Sequence, residues 1–231
     1  MLKDYVALDL ETTGLNPKTD RILEIGAARI RDGKVSETFE TFVNPHMGIG
    51  EHVRALTGIC RSQVDEAPDL EVILKPLREF LGTDVLLGHR ILFDYSFLKI
   101  AYVNAGLPFE KAGMDTLKLA RMCLPDLPSR KLPDLCSYYG IDTVSHRALS
   151  DSLAAYELYC RLCGDYREAD AALPVPLLCK VRKEGPITRS QIEQLSRLLR
   201  EYHISWDGDI SYLTRNEASR MIDRIRSGDM K

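Results

Sequence analysis

The chain has little that would mark it as secreted, membrane-bound or repetitive. No apolar stretch approaches the roughly 20 residues that a spanning helix needs. Met1-Leu2-Lys3-Asp4 leads straight into an apolar run, so neither a membrane anchor nor a signal peptide is expected. The six cysteines (Cys60, Cys123, Cys136, Cys160, Cys163, Cys179) lack the spacing of a disulfide framework. Reduced thiols and a cytoplasmic setting follow as the expectation. There is no internal repeat and no low-complexity tract. A formal net charge of −3 provides no global basic field for nucleic acid. That weighs little against an enzyme that places metal ions where phosphates must go.

What is present is an ordinary globular composition. The 231 residues, 45% of them hydrophobic and 28% charged, suffice for one full core and a small appendage. Three strands open the chain: Tyr5 to Leu10, Arg21 to Ile30, and Val35 to Val43, with Asp32-Gly33 as a hairpin signal between the last two. A long loop is expected over 44–68, rich in Pro and Gly. Helical spacing over 69–81 is interrupted by Pro76, which would kink or divide the helix. Asp84 to Gly88 reads as a strand and Asp94 to Ala105 as a helix capped by Gly106. Gly113 to Asp115 reads as a short strand, and 116–122, 132–139 and 149–162 as helices. This order predicts an α/β fold with a mixed sheet flanked by helices.

Beyond residue 165 the texture changes. Residues 166–187 read as a linker or docking strap, and 188–231 as a C-terminal helical module. Thr188-Arg189-Ser190-Gln191 and Thr214-Arg215-Asn216-Glu217 are both capping boxes. With those two helices and 11 Lys+Arg against 8 Asp+Glu from Lys180 onward, it reads as a small basic-leaning helical module and not as a disordered tail.

The chemistry begins at Asp9 and Glu11. They lie two apart at the end of the apolar run Tyr5-Val6-Ala7-Leu8, and residues i and i+2 of a strand share a face. Two carboxylates so placed repel each other and resist desolvation unless a cation lies between them. Hard oxygen ligands of this kind suit Mg2+ or Mn2+. Other carboxylates stand at element ends. Asp94 follows Gly88-His89-Arg90-Ile91-Leu92-Phe93, where an N-cap is its ordinary reading. Asp151 follows His146 by five residues at the start of a strong helical pattern, where a favourable dipole position is its ordinary reading. Singly these are unremarkable, but four carboxylates at the ends of three elements with a histidine nearby are less so.

In that order the motifs Asp9-Leu10-Glu11-Thr12-Thr13-Gly14-Leu15, Gly88-His89…Phe93-Asp94 and His146…Asp151 resemble the DEDD family of 3′-5′ exonucleases. They match its histidine-containing subclass, to which proofreading subunits of bacterial DNA polymerase III belong. The likeness covers roughly residues 4–165, including Glu24-Ile25-Gly26 and Leu56-Thr57-Gly58-Ile59. It implies a ribonuclease-H-like fold and a two-metal hydrolysis of terminal phosphodiesters, with Asp9, Glu11, Asp94 and Asp151 holding two divalent ions (Mg2+ or Mn2+). His146 would be the general base. Thr12, Thr13 and Leu15 would line the terminal-nucleotide pocket. Phe93 is either a base contact or a core residue. The chain departs from many relatives by carrying Arg90 and Ile91 after His89, in place of an Asn and a small residue; this bears on substrate preference alone.

The resulting expectation is an exonuclease on single-stranded 3′ ends, DNA before RNA, that releases nucleoside 5′-monophosphates. An exoribonuclease and an inactive binding module are the alternatives. The C-terminal module is open as a dock for a DNA polymerase subunit or another protein, or as a nucleic-acid grip through Arg215, Arg220, Arg224 and Arg226. Cys160 and Cys163 read as packing thiols, His46, His52 and His203 as solvated or hydrogen-bonded, and Trp206 as an anchor of the module.

Overall fold

The computed structural model of the chain describes residues 2–144, 146–165 and 173–230. Its centre is a six-stranded sheet in the order β3-β2-β1-β4-β5-β6. β1 (Tyr5–Thr12), β2 (Ile22–Arg31) and β3 (Lys34–Phe42) form an antiparallel meander. β4 (Leu86–Gly88) and β5 (Ala112–Asp115) run parallel to β1, and β6 (Val175–Pro176) pairs antiparallel with β5. Asp32 and Gly33 join β2 to β3 with φ of 50° and 75°, the left-handed pair that a tight hairpin turn demands.

Between β3 and β4 the chain departs from the expected long loop. It holds α1 (Glu51–Thr57) and α2 (Arg61–Val64), followed by α3 (Leu70–Leu81). The first two are too short for periodicity to reveal. They are held by a small cluster in which Ile49, Ile59 and Val64 bury against Leu23 of β2. α3 is one helix despite Pro76. The carbonyl that Pro76 leaves without its helical donor belongs to Val72, which is 66% exposed, so water can satisfy it.

Side-chain alternation along β1 divides the core between two helical layers. Val6, Leu8 and Leu10 face α3 and α4 (Ile91–Asn104). Tyr5 and Ala7 face α5 (Thr116–Cys123), α6 (Leu132–Tyr139) and α7 (Ala148–Asp165). The Tyr5 and Tyr159 rings meet edge to face, centroids 5.5 Å apart, and pin α7 to the sheet. Asp9 and Glu11 continue the Tyr5–Ala7 alternation, so they project toward α7.

The segment expected to be a linker or strap contributes to the sheet. Residues 166–172 lie outside the described residues, but Val175 and Pro176 form β6, and Leu177 is buried with the α3–α4 layer. Pattern could not reveal so short an edge strand. α8 (Arg189–Glu201) and α9 (Arg215–Ser227) then begin on both expected capping boxes. Leu195, Leu198, Ala218, Met221, Ile222 and Ile225 bury between them, with Ile192, Leu199 and Trp206 partly buried alongside. Gly228, at φ 79°, ends α9. Among the described residues no helix is long and apolar enough to cross a membrane.

Candidate active site

β4 ends at Gly88, and this sets the geometry. The amide of Val6 still bonds the carbonyl of Val85 across the parallel pair (2.9 Å). Two pleats further on, Leu10 has no β4 partner, and its amide donates to Asp94 Oδ1 at 3.1 Å. Asp94 is therefore not an N-cap, as its position suggested. α4 starts three residues earlier, after Arg90 in the left-handed conformation (φ 73°). Asp94 sits in the first turn, 3% exposed, turned from its own helix end toward the tip of β1.

Asp9 and Glu11 stand opposite Gly26 and Glu24 of β2. Against this face lies the start of α7. A Cβ on Gly26 would fall 2.0 Å from the Leu149 amide nitrogen and 2.1 Å from the Ala148 carbonyl carbon. Only a residue without a side chain lets α7 approach there. His146, just before the helix, is held at φ 65°, and its amide donates to Asp151 Oδ2 at 2.9 Å. Ligand atoms of Glu11, His146 and Asp151 come within 4.8 Å of one another.

Like charges crowd at this point. Burial pushes the Asp9 carboxyl well above the usual range, and Asp94, Asp151, Glu11 and Glu24 push it further. Burial likewise raises Asp94, although backbone amides oppose it, and raises Asp151, with His146 opposing. Glu11 is pushed up to about 7 by burial first and then by Asp151 and Glu24, while Arg147 pulls it down. Buried carboxylates in such a group need protons or cations. The four carboxylates offer the hard oxygen donor set of a divalent ion such as Mg2+ or Mn2+, with the imidazole beside them, so the residues present fit the metals that the resemblance implies.

Two residues of this region escaped the sequence reading as site residues. Glu24 is fully buried. Its carboxylate accepts from Arg147 Nη2 (2.8 Å) and Nε (3.1 Å) and from the Ala148 amide (3.1 Å). Arg147 lies over the Phe42 ring, 5.4 Å from its centroid, and reaches Glu40 at 3.4 Å. The available signal was a charged residue inside an otherwise apolar strand, flanked by Leu23 and Ile25.

The remaining candidates are spread around the tip of β1. Thr12 Oγ1 donates to the Gly14 carbonyl (2.7 Å). Thr13 Oγ1 accepts from the Arg21 amide (2.9 Å) and approaches Met47 Sδ at 3.8 Å. Leu15 is 81% exposed. Phe93 is partly buried against the α3–α4 core, 5.1 Å from the Phe97 ring. The guanidinium of the exposed Arg90 lies over the Phe93 ring, 5.9 Å from its centroid. His89 is held apart from the carboxylates by Thr116 Oγ1 and the Arg130 carbonyl, each at 2.9 Å, and burial lowers its pKa. His46 bonds Asp69 at 2.6 Å, and all six cysteines are free.

The family model described as Exonuclease (RNase_T) matches residues 6–159, a span that holds all four carboxylates and His146. The chain belongs to this exonuclease family. It is 39% identical over 166 residues to the PolC-type DNA polymerase III of Caldanaerobacter subterraneus subsp. tengcongensis, covering 71% of this chain and 12% of that protein. To the PolC-type DNA polymerase III of Bacillus subtilis it is 36% identical over 168 residues, with the same shares. The chain therefore spans about an eighth of the length of the curated relatives it matches. Among solved structures it is similar to exonuclease X in complex with 5′ overhanging duplex DNA (TM-score 0.59, 22% identity, 71% of this chain and 94% of that one). It is similar also to E. coli exonuclease I in complex with a dA16 oligonucleotide (0.62, 19%, 70% and 41%). A third is a 3′-exonuclease recognising the histone mRNA stem-loop (0.61, 20%, 79% and 73%). At these identities the structural likeness establishes the fold, a ribonuclease-H-like mixed sheet flanked by helices.

Proposed function

We propose that this chain is a metal-dependent 3′-5′ exonuclease acting on single-stranded ends, with DNA preferred. The observation that carries the reading is the convergence of Asp9, Glu11, Asp94, Asp151 and His146 at one end of β1 from three separate elements. Family membership and the likeness to PolC-type polymerases support the DNA preference.

In this reading Asp9, Glu11, Asp94 and Asp151 hold two divalent ions, Mg2+ or Mn2+, which supply Lewis-acid charge beside the scissile phosphate. His146 takes the proton of the attacking water at a ring nitrogen. Its backbone is fixed by the hydrogen bond that its amide donates to the Asp151 carboxylate, so the imidazole stays beside Glu11 and Asp151. The water oxygen bonds to phosphorus and the bond to the preceding 3′-oxygen breaks. The departing 3′-oxygen takes a proton from solvent and becomes a new 3′-hydroxyl, and a nucleoside 5′-monophosphate leaves. Thr12 and Thr13 line the terminal-nucleotide pocket, the exposed Leu15 wedges against the last base, and Phe93 supports the pocket wall from the core. An inactive binding module has no need of the full carboxylate set and the histidine together.

The test is digestion of matched 3′- and 5′-labelled single-stranded DNA and RNA oligonucleotides with Mg2+, Mn2+ or chelator. Metal-dependent release of 5′-monophosphates from DNA 3′ ends is expected. A higher rate on RNA would move the reading to an exoribonuclease. No release from either polymer would sink it. Proofreading beside a polymerase is the finer form of the proposal; faster removal of a mismatched than of a paired 3′ nucleotide from a primer–template would support it.

A further inference from the structure

The catalytic chemistry leaves the C-terminal module without a task, and its contacts supply one. Two lines of contact lead from it to Thr13. The first runs through Arg21. Thr13 and Arg21 close the β1–β2 loop, with the Thr13 amide on the Arg21 carbonyl (2.8 Å) and the Arg21 amide on Thr13 Oγ1 (2.9 Å). The Arg21 guanidinium holds the carbonyls of Thr19 (3.2 Å) and Asp20 (3.4 Å) within the loop. Its Nη2 reaches out to Glu217 Oε1 of α9 at 2.7 Å. Glu217 is 6% exposed in its side chain, and its other oxygen accepts the Thr214 amide of the capping box at 2.7 Å. The carboxylate is thus shared between the start of α9 and the loop.

The second line runs through Met47, whose sulfur lies 3.8 Å from Thr13 Oγ1. Met47 forms a β-bridge with Gly208 of the module. Next to it, the Asp209 amide bonds the His46 carbonyl at 3.0 Å. The His46 ring stacks on Tyr212, centroids 3.4 Å apart and planes 7° apart. Thr13 therefore sits between two supports that both end on residues 207–217.

We propose that the C-terminal module is an intramolecular brace. Through the Glu217–Arg21 pair and the Met47–Gly208 bridge it fixes the β1–β2 loop that presents Thr13 and Leu15, and so sets affinity for the 3′ end without touching it. The inference rests on the exonuclease reading for the role of that loop. It makes Arg21 and Glu217 positioning residues.

The test compares the full chain with Arg21→Met, Glu217→Gln, both together, and Arg21→Lys. Glu217→Gln keeps a competent capping box, as Gln191 does in α8, and removes the charge. Amide hydrogen exchange over residues 13–21 reads the brace directly. Each single variant is expected to speed it by about tenfold. On a short single-stranded DNA oligonucleotide each should raise KM by about three- to tenfold and leave kcat within about twofold. The double variant should be no worse than either single one, and Arg21→Lys should recover most of the loss. Unchanged exchange overturns the proposal, as does faster exchange with unchanged KM. A KM effect of Arg21→Met that Glu217→Gln does not share also overturns it, because Arg21 would then contact nucleic acid itself. If the unmodified chain cleaves nothing, the exonuclease reading fails separately. Kd for the labelled oligonucleotide in chelator then takes the place of KM, with the same outcomes deciding.

Discussion

The carboxylate of Glu24 holds the guanidinium of Arg147 and the amide of Ala148 at once, so a buried strand residue fastens the turn that carries His146. Breaking the pair from the Arg side leaves a fully buried anion unpaired. Arg147→Met should cost about 2–3 kcal/mol, somewhat below the loss for a fully buried pair because Arg147 is half exposed. Glu24→Gln, added to it, should restore part of that stability, since the stranded charge is gone. Urea midpoints of the two variants check this; a double variant less stable than Arg147→Met refutes it.

Gly26→Ala tests the close approach of α7 to the sheet. The added methyl meets backbone, which cannot rotate away, so α7 must shift. Overpacking of this kind costs about 1–3 kcal/mol. The displacement carries His146 and Asp151 with it, and activity should fall by about a hundredfold. A folded variant with near-normal cleavage would show that the helix start has more room than the contact distances allow.

His146 has a left-handed backbone, which Asn tolerates better than most residues. His146→Asn should therefore keep the fold and its melting temperature while cleavage drops by about 10²–10⁴-fold. Loss of folding would shift His146 from a chemical to a structural role.

The carboxylate group predicts an inverted pH dependence in chelator. Glu11 rises from its usual 4.5 to about 7 on folding, so the folded state binds more protons than the unfolded one between those values. Stability should fall as pH rises through that window, and Mg2+ or Mn2+ should reverse the loss. Glu11→Gln should flatten the slope. Melting temperatures at pH 5 and 7.5, with and without metal, decide; a metal-free protein that gains stability across the window contradicts the crowding described here.

Asp9→Asn follows the same logic. Removing one charge from the crowd should raise the melting temperature in chelator by about 2–4 °C, while metal-dependent cleavage is lost by at least about a thousandfold. A drop in melting temperature would mean that Asp9 makes a favourable contact that its surroundings do not reveal.

Much of this was legible in the sequence because local chemistry specifies it. Alternation on β1 put Asp9 and Glu11 on one face, Asp32-Gly33 announced the hairpin, and both capping boxes started helices as expected. The features that local pattern left open share a cause in distance along the chain. Asp94 looks like a cap until the end of β4 frees the Leu10 amide for it. α1 and α2 owe their place to Leu23 and the small cluster around it. β6 exists because β5 has an edge to pair with. Glu24 and Arg147 are separated by most of the domain, and neither motif spacing nor periodicity links them.

The two-residue strand β6 also limits how the C-terminal helices can behave. With Val175–Pro176 fastened to β5, residues 177–188 are the whole tether to α8, a reach of at most about 43 Å. A module on so short a leash faces its docking surface at an effective concentration in roughly the millimolar range. Contacts as modest as two ion pairs (Arg21–Glu217 and Arg61–Asp207), a ring stack and a β-bridge with its flanking backbone hydrogen bonds are then enough to keep it seated. A rival partner for the same face has to compete with a ligand that never diffuses away.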